Sequence, residues 1–490
     1  MVSMPVRGLG LCVTTTALLC FAATANADPK PLSKEEQAKV DKAIEKAVDY
    51  LKSIQREKGD WAARYPCARL AQSLLPAYAL LEAGVPANDP AIRKAADYLR
   101  SELAKYLRSE YERSDFDKKF LEKSSYLSYP HTYQLSLAVL FFDRLGDPKD
   151  KKLIQSLTLR LIAGQHRTGG WSYRCSQLSE DDEASLLKFL GELNKRLDAG
   201  VKPSTKLFND LKVPRKLRML TVFQDPSQFN WREPHVNAAT SAGERVDIGP
   251  SDNSNTQFAM LALWVAQHHG VPLRPTLDIL ALRFERTQQE DGYWPYAWHH
   301  SRPTRSMVCV GLLGLAISHR QVTIPKLSLR HRQIADLRVL KGLLALYGEI
   351  GVPTGQMERS VPYMDVYFLW SLERVGMLYD LPTIGDKEWY RWGAEILLTN
   401  QKSDGRWESA FDPKDAAKSL MPNDYPSLTT AFALLFLKRS HPMKDLTPKL
   451  PLKAEALNKS IVALRGGTNP ISPSSSSRDN ERRDSSASPP

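Results

Sequence analysis

Two kinds of apolar pattern alternate along the chain and predict two kinds of helix. In the first kind, apolar residues recur at helical spacing on one face only, as in residues 40–54, where Ser33 and Glu36 form a capping box upstream. In the second kind, apolar residues cover nearly the whole circumference, as in residues 258–264 and 431–437. A helix that is apolar on every side must be surrounded by other elements. We therefore expect an outer set and an inner set of helices.

The two sets have the same number of members. Outer helices are predicted at about 40–55, 91–107, 150–165, 273–288, 329–349 and 386–401, and inner helices at about 68–83, 131–145, 254–268, 305–318, 364–378 and 427–438. Six inner helices around an axis, with six outer helices around them, bury every apolar face. The pattern favours an all-α fold, an (α/α)6 toroid. An open superhelix is the alternative, and it would expose one face of its inner layer.

A short motif follows four of the outer helices. It consists of Gln, three residues, Gly, one residue and Trp. The four copies are Gln55, Gly59 and Trp61; Gln165, Gly169 and Trp171; Gln288, Gly292 and Trp294; and Gln401, Gly405 and Trp407. The tryptophans are 110, 123 and 113 residues apart, which indicates an internal repeat. Glycine at this point is typical of a helix stop, and we expect each Trp to be buried against a neighbouring helix.

The four motifs and the twelve alternating helices, over about residues 35–440, resemble the terpenoid cyclase and protein prenyltransferase superfamily. They look most like the repeats of squalene–hopene cyclases. The resemblance implies the toroid fold. It does not by itself imply a reaction, because the same toroid hosts several chemistries.

Class II cyclases of that superfamily protonate an alkene or epoxide with an Asp in an Asp-x-Asp-Asp-Thr motif at the start of an inner helix. The stretch that matches here is 252–256, Asp-Asn-Ser-Asn-Thr. Asp252 and Thr256 match, but Ser254 stands at the proton-donating position and Asn255 at the next one. A protonated carboxylic acid is needed there, and a hydroxyl group cannot replace it. The resemblance therefore implies a toroid that has lost its acid and does not cyclise squalene or oxidosqualene.

The sequence also lacks the residues that the other reactions of the superfamily need. Prenyltransferases hold zinc with Asp, Cys and His near inner-helix starts. In the stretch that matches, 302–315, Cys309 lies a turn inside the helix, where packing is the expected role, and the last inner helix opens without a His. The Gly-Cys-Gly-Glu-Gln thioester run of the complement-type toroid is missing as well. We expect no metal site and no cofactor.

Polar residues at the inner-helix starts would converge at one end of such a ring, where a ligand site is expected. The candidates are His131, Tyr133, Asp252, Ser254, Asn255, Arg305, Asp365 and Asp424. Each has a structural alternative: the aspartates can cap helices, the histidine can be a packed core residue, and the arginine can pair with an aspartate. Inner-helix aromatics such as Phe258, Trp370 and Phe432 would stabilise carbocations in a cyclase, but such residues also pack plain cores.

Three functions remain open at this point. The first is a cyclase-like toroid without the acid that binds an apolar, isoprenoid-like ligand or a protein partner. The second is a polysaccharide-active (α/α)6 enzyme, a lyase or a glycosidase, which needs a Tyr or His base with an Arg or Asn clamp, or paired carboxylates. The third is a non-catalytic scaffold. An apolar cavity favours the first, a polar cleft the second, and a filled centre the third.

The ends of the chain differ from its middle. Residues 1–27 are predicted to be a signal peptide, with Arg7, an apolar stretch and the small-x-small site 25–27, so the mature protein would begin near Asp28 and be periplasmic or secreted. No later stretch predicts a transmembrane span. The toroid domain is expected over 28–445. Residues 446–490 are expected to form a disordered tail, because the end of the chain is polar and low in complexity.

An insertion is predicted at 176–250. It begins with an acidic, helical piece at 180–198 and continues as a basic, proline-containing loop at 202–218. Loops of this length are usually functional or disordered. The insertion is the expected contact surface if the protein is a scaffold.

Charge and cysteine content add two constraints. The chain has 67 basic and 55 acidic residues, a net charge of +12 that is spread along the sequence, so we expect no nucleic acid partner. Signal cleavage leaves Cys67, Cys175 and Cys309. Cys67 and Cys175 could form a disulfide in an exported protein, and buried free thiols are the alternative.

Overall fold

Helix α1 (Lys34–Ser53) begins where the capping residues lie. The Ser33 hydroxyl accepts a hydrogen bond from the Glu36 backbone N–H (3.2 Å), and the Glu36 carboxylate accepts one from the Ser33 N–H (2.7 Å). The helix then buries one face, from Val40 to Leu51. It starts six residues before the predicted position because its first turn and a half is polar and has no apolar periodicity.

The computed structural model describes residues 31–62, 69–107, 131–175, 178–229, 237–239, 245–247, 250–297, 303–319, 329–353, 365–408, 425–450 and 453–466. After α1, these residues contain α2 (Arg69–Ala83), α3 (Pro90–Leu107), α4 (His131–Leu145), α5 (Lys151–Ala163), α6 (Glu180–Asp198), α7 (Thr205–Asp210), α8 (Asn253–Ala266), α9 (Arg274–Thr287), α10 (Arg305–His319), α11 (Leu329–Glu349), α12 (Val366–Leu378), α13 (Trp389–Asn400), α14 (Pro426–Lys438) and α15 (Ala454–Gly466). Two short strands, β1 (Asn237–Ala239) and β2 (Arg245–Asp247), pair antiparallel. The predicted all-α class is confirmed. The predicted signal peptide, residues 1–27, lies outside the described residues.

The helices predicted as inner form one continuous series of contacts. They are α2, α4, α8, α10, α12 and α14. In α8 every residue is buried, as expected of a helix that is apolar nearly all round. Each of the six packs against the next one along the chain, and α14 packs against α2.

The helices predicted as outer bury one face on this inner series. They are α1, α3, α5, α9, α11 and α13. Helix α1 packs on α2 and α14, α3 on α2, α5 on α4 and α8, α9 and α11 on α10, and α13 on α12. Helix α13 starts three residues after its predicted position, because Ile384 and Lys387 close a tight turn just before it.

The glutamine and glycine of the first motif join two neighbouring outer helices. The Gln55 side-chain amide donates to the carbonyl of Gly59 (3.0 Å) and to that of Ala91 in α3 (2.9 Å). Gly59 has a φ of +93°, and a Cβ there would come within 2.3 Å of the Lys94 carbonyl oxygen. Only glycine fits this conformation and this close approach.

The other three copies repeat both contacts at their own seams. The amides of Gln165, Gln288 and Gln401 donate to the carbonyls of Thr276, Arg338 and Ala43, respectively. The glycines, Gly169, Gly292 and Gly405, have φ values of +77°, +90° and +93° and lie against the carbonyls of Ile279, Lys341 and Lys46, each three residues beyond the carbonyl that the amide binds. The motif glycines thus do more than end a helix, the role that the sequence predicts. They let the loop approach the backbone of the next outer helix.

The tryptophan of each motif joins an outer helix to an inner one. The rings of Trp61, Trp171, Trp294 and Trp407 are all 0% exposed. Each indole N–H donates to the carbonyl ten residues earlier, near the end of the preceding outer helix, at 2.7–3.0 Å. The backbone N–H groups of Trp61, Trp171 and Trp407 donate to hydroxyls of inner helices, those of Ser73, Thr256 and Thr430. The motif thus fixes both layers at once.

The fourth motif joins the last outer helix to the first. The Gln401 amide donates to the Ala43 carbonyl in α1 (2.8 Å) across 358 residues of sequence. Gly405 lies against the backbone of Lys46, and Arg391 forms an ion pair with Glu36. The two ends of the outer series are therefore in direct contact.

The insertion is packed where the structure describes it. Helix α6 has a capping box at Ser179, buries four leucines from Leu186 to Leu197, and packs on α5 and α9. The segment predicted as a basic loop contains α7, and it buries Phe208 and Leu217. Its apolar residues are irregularly spaced and give no helical period, which is why the sequence pattern predicts only a loop.

The C-terminal region differs from the prediction of a tail beginning at residue 446. Helix α15 packs against α11 and buries Ile461 fully. The Gly385 N–H also donates to the Asn458 side chain (3.0 Å). One apolar residue per turn is enough for this docking, and so sparse a pattern looks polar in the sequence. Residues 467–490 lie outside the described part of the chain. Among the described helices, none is long and apolar enough to cross a membrane.

Candidate functional site

Asp252 caps α8 and is tied into the backbone that leads to it. Its carboxylate accepts hydrogen bonds from the Asn255 backbone N–H and from the Asn255 side-chain amide, both at 2.8 Å. Its backbone forms single antiparallel bridges with Trp171 and Ala297. The start of α8 is thus held between two loops, one of them following Trp171. Asp252 and Asn255 lie together, in the arrangement of a helix cap.

The charge state of Asp252 is consistent with its role as a helix cap. Burial raises the pKa of its carboxyl to about 6, opposed by the hydrogen bonds from Asn255 and by the charge of Arg283. The buried Arg283 guanidinium donates to Asn253 (2.8 Å) and to Ser251 (2.9 Å), and burial lowers its pKa to about 10. At neutral pH the Asp252 carboxyl is mostly ionised, and Asn255 occupies both of its oxygens. It is not placed to protonate an alkene.

Ser254, in the first turn of α8, lies in a chain of hydrogen bonds. The Tyr133 hydroxyl donates to Ser254 (2.8 Å), the Ser254 and Tyr367 hydroxyls are 2.8 Å apart, and the Tyr367 hydroxyl donates to the Gln257 side-chain carbonyl (2.7 Å). Because Tyr367 gives its only proton to Gln257, it must accept from Ser254, and Ser254 must accept from Tyr133. Burial raises the pKa of both tyrosines, so both stay protonated. The hydrogen-bond chain contains no base that could activate the serine.

Four half-buried tyrosines lie in or beside this hydrogen-bond chain. Two of them, Tyr133 and Tyr367, belong to it, and Tyr173 and Tyr296 have hydroxyls 3.5 Å apart. The Tyr133 and Tyr173 rings are 5.9 Å apart and edge-on. Burial raises the pKa of Tyr173 and Tyr296 as well. The end of the inner series therefore presents neutral phenol groups.

Sequence reasoning missed three of these four tyrosines as site residues. Tyr173 and Tyr296 each follow a motif Trp by two residues, so the repeat itself offered a Trp-x-Tyr signal. Tyr367 lies within an apolar inner helix, where an aromatic residue predicts packing. Its role depends on the direction of its side chain, which periodicity does not give.

Aromatic side chains fill the space between α8, α12 and α14. Phe258 stacks on Trp370 with ring centroids 5.1 Å apart, and Phe432 lies 5.1 Å from Trp370 and 5.8 Å from Tyr367. Phe258, Trp370 and Phe432 are 2%, 1% and 6% exposed, so very little of their surface faces either solvent or a void that could hold water. These aromatics are packed as a core.

Arg305 and Asp365 form a separate pair. Asp365 caps α12 by accepting from the Phe368 N–H (2.9 Å), and its other oxygen is 3.4 Å from the Arg305 guanidinium. That guanidinium lies over the Phe368 ring, 4.6 Å from its centroid. Each charge therefore already has a partner, and an exposed pair of this kind contributes little to stability.

His131 lies apart from the other candidates. Its ring packs edge-on against Tyr106 of α3 at 5.3 Å. Burial and the charge of Arg174 lower its pKa to about 4, so it is neutral at physiological pH. Nearby Cys175 is a free, buried thiol 3.2 Å from the Thr132 hydroxyl, and Cys67 lies outside the described residues.

The predicted candidates therefore lie in three pairwise contacts, two of which adjoin at the start of α8, and His131 lies apart. Tyr133 lies with Ser254, Asp252 with Asn255, and Arg305 with Asp365, while His131 packs elsewhere. Asp424 lies outside the described residues. Among the described residues, no three His, Cys, Asp or Glu side chains lie together in a way that could hold a metal ion.

A buried charged cluster at the other ends of the inner helices was not predicted. Glu373 and Arg374, near the end of α12, are 0% and 2% exposed, with a carboxylate oxygen 3.2 Å from the guanidinium. Arg374 donates to the Ser440 carbonyl, and the Ser440 hydroxyl donates to Glu82 of α2. Burial raises the pKa of Glu373 to about 8. Two adjacent charges within an otherwise apolar helix were the available signal.

Comparison with known proteins gives little further information. No family model and no curated protein matches the chain. A solved structure described as a protein from Actinoplanes is 13% identical, covers 82% of this chain and 99% of its own, and has a TM-score of 0.38. A similarity at that level carries no argument about fold or function.

Proposed function

We propose that the six inner and six outer helices form a closed (α/α)6 toroid of the squalene cyclase type. The contacts of each inner helix with the next, and of α14 with α2, support this arrangement. The hydrogen bond from Gln401 to Ala43 supports closure of the outer layer, because it has the same form as the bonds at three seams within the chain.

Within that fold, the best supported function is a non-catalytic one: an exported toroid that binds a partner at the end of the ring where the four tyrosines lie. The observation that carries this proposal is the chain from Tyr133 through Ser254 and Tyr367 to Gln257. It occupies the position of the cyclase acid with neutral, mutually satisfied groups. Proton donation and nucleophilic attack both need a group with a suitable pKa or a neighbouring base. The four side chains of this hydrogen-bond chain provide neither.

The packed aromatics favour a scaffold over a carrier of an apolar ligand. A ligand in the centre of the ring would have to displace Phe258, Trp370 or Phe432, which contact one another. A polysaccharide lyase or glycosidase is also disfavoured. Its base and clamp would have to come from residues that already have partners, since Asn255 bonds Asp252 and Arg305 pairs with Asp365.

The test is an assay of the purified mature protein with squalene and oxidosqualene, with products extracted and separated by gas chromatography. A squalene–hopene cyclase assayed in parallel is the positive control. We expect no cyclised product from the wild type. We also expect none from the double variant Ser254→Asp/Asn255→Asp, because restored carboxyls would still face a packed centre.

Cyclised product from the wild type would overturn the proposal. The variants Asp252→Asn and Asp365→Asn would then identify the acid. A saturable shift of the melting temperature by isoprenoid lipids that is lost in Trp370→Ala would also count against it, since it would place a ligand among the central rings.

A further inference from the structure

The segment of the insertion from Val201 to Arg218 is denser in basic residues than the chain as a whole, with 6 of the 67 lysines and arginines in 18 residues. Its charged residues are Lys202, Lys206, Lys212, Arg215, Lys216 and Arg218, against Asp210. The segment thus holds +5 of the net +12 of the whole chain within 18 of 490 residues. We refer to its outward side as the basic insertion face.

This face is held on a rigid support. Leu207, Phe208, Val213 and Leu217 are buried in the same hydrophobic cluster as the helices of the two layers. Lys216 forms an ion pair with Asp182 at the start of α6 (2.6 Å), which ties the segment to the rest of the insertion. Because the apolar side chains face inward and are fixed, the basic side chains between them must face outward.

The charges of the face are not neutralised by the protein. Lys202, Lys206, Lys212, Arg215 and Arg218 are exposed, and no described carboxylate lies within ion-pairing distance of any of them. Just outside the segment, by contrast, Lys195 pairs with Glu192 and Arg274 with Asp198. Uncompensated charge of one sign attracts an anionic partner.

An exposed apolar side chain lies beside these charges. Val201 is 41% exposed, one of four large apolar side chains in the described part of the chain that are more than a third exposed. A soluble polyanion would be recognised by the charges alone. A lipid surface rewards both features, because basic residues meet the anionic headgroups and an apolar side chain enters the interface.

We propose that the basic insertion face binds the surface of a membrane that contains anionic phospholipids. This goes beyond the function proposed above, and it places the protein at a lipid surface. Each Lys or Arg near such a surface raises partitioning about fivefold. Removal of four of them is therefore expected to weaken binding more than about a hundredfold.

The experiment is flotation of the mature protein with vesicles of phosphatidylglycerol and phosphatidylcholine, compared with phosphatidylcholine alone. The test variant is Lys202→Gln/Lys206→Gln/Lys212→Asn/Arg215→Gln. The matched control removes four exposed lysines from the outer helices, Lys42, Lys94, Lys151 and Lys152, each replaced by Gln. We expect wild type and control to bind anionic vesicles at low salt, and the test variant to remain unbound.

A second variant separates lipid from soluble polyanion. Val201→Ser keeps every charge, and we expect it to bind anionic vesicles roughly threefold more weakly while its binding to heparin or to duplex DNA stays that of the wild type. Binding to heparin or DNA without vesicle binding would overturn the proposal, as would equal losses in the test and control variants or equal binding to neutral vesicles. None of these outcomes depends on the cyclisation assay.

Discussion

Replacement of Gly405 by alanine tests whether the contact between the last and the first outer helix stabilises the whole protein. Gly405 has a φ of +93°, and a Cβ there would lie 2.2 Å from the Lys46 carbonyl oxygen and 2.6 Å from its carbon. These are backbone atoms in α1, so no side-chain rotation can relieve the overlap. Helix α1 would have to move away from the motif, which also lengthens the 2.8 Å bond from Gln401 to Ala43.

The magnitude can be worked from three contributions. A side chain in the left-handed region costs about 1–2 kcal/mol. Forced separation of two packed helices costs about 1–3 kcal/mol, as overpacking does. The weakened amide bond costs about 1 kcal/mol. We expect Gly405→Ala to lower the free energy of unfolding by about 3–6 kcal/mol.

The matched control is Gly84→Ala. Gly84 has a φ of +99°, and no described atom lies within 4 Å of the position that its Cβ would take. This variant has the backbone strain alone and should lose only about 1–2 kcal/mol. Urea unfolding followed by circular dichroism at 222 nm measures both. If Gly405→Ala loses no more than Gly84→Ala, the contact between α13 and α1 does not contribute to stability and the reasoning is refuted.

Three further predictions concern other parts of the molecule. Trp294→Ala should cost about 3–5 kcal/mol in urea unfolding, because the ring is fully buried, and a loss under about 1 kcal/mol would contradict its structural role. Burial raises the pKa of Glu373 to about 8 from an ordinary value near 4.5, so the stability that its bound proton contributes is full below pH 4.5 and is lost as the pH rises through 8. Relative to Glu373→Gln, the wild type should lose about 1–3 kcal/mol between pH 6 and pH 9, and an unchanged difference would show that the carboxyl does not titrate in that range. Intact-mass measurement should show a mature protein that begins near Asp28, and recovery of a chain that retains Met1 would contradict export.

The positions of the helices could be read from the sequence because burial imposes a period. The inner helix predicted at 131–145 has those bounds in the structure, since a proline precedes it, a glycine follows it, and its centre is an unbroken apolar run at 137–142. Helix α15 could not be predicted in the same way. It docks with few apolar residues, and only the position of α11 shows that Ile461 has something to pack against.

The repeat motif could be found in the sequence, but only part of its role could be predicted. Burial of rings such as Trp61 and Trp407 follows from their size and apolar character. The close approach of Gly169 and Gly292 to the next outer helix has no sequence signal, because the carbonyls they meet lie in residues about 50 or more positions further along the chain.

The candidate site could be predicted only as a set of residues at helix starts. His131 and Tyr133 are two positions apart in α4, yet one packs on Tyr106 and the other bonds Ser254. Two residues that are two positions apart in a helix point in directions that differ by roughly 200°. His131 and Tyr133 therefore could not converge on one ligand. The hydrogen-bond chain through Ser254 also depends on Tyr367 and Gln257, which carry no sequence signal for it, because their partners are distant in the chain.

The contact between Gln401 and Ala43 also has a consequence for the order in which the protein is made. Helix α1 is among the first parts to leave the ribosome, and its partner on one side is synthesised some 358 residues later. At a synthesis rate of roughly 5–20 residues per second, α1 waits for about 20–70 seconds with that side uncovered. The nascent chain can complete local pairs such as α1 with α2 during this time, but its final fold must wait until synthesis has passed α14, which packs on both α1 and α2. A chaperone that holds the early helices would act in this interval.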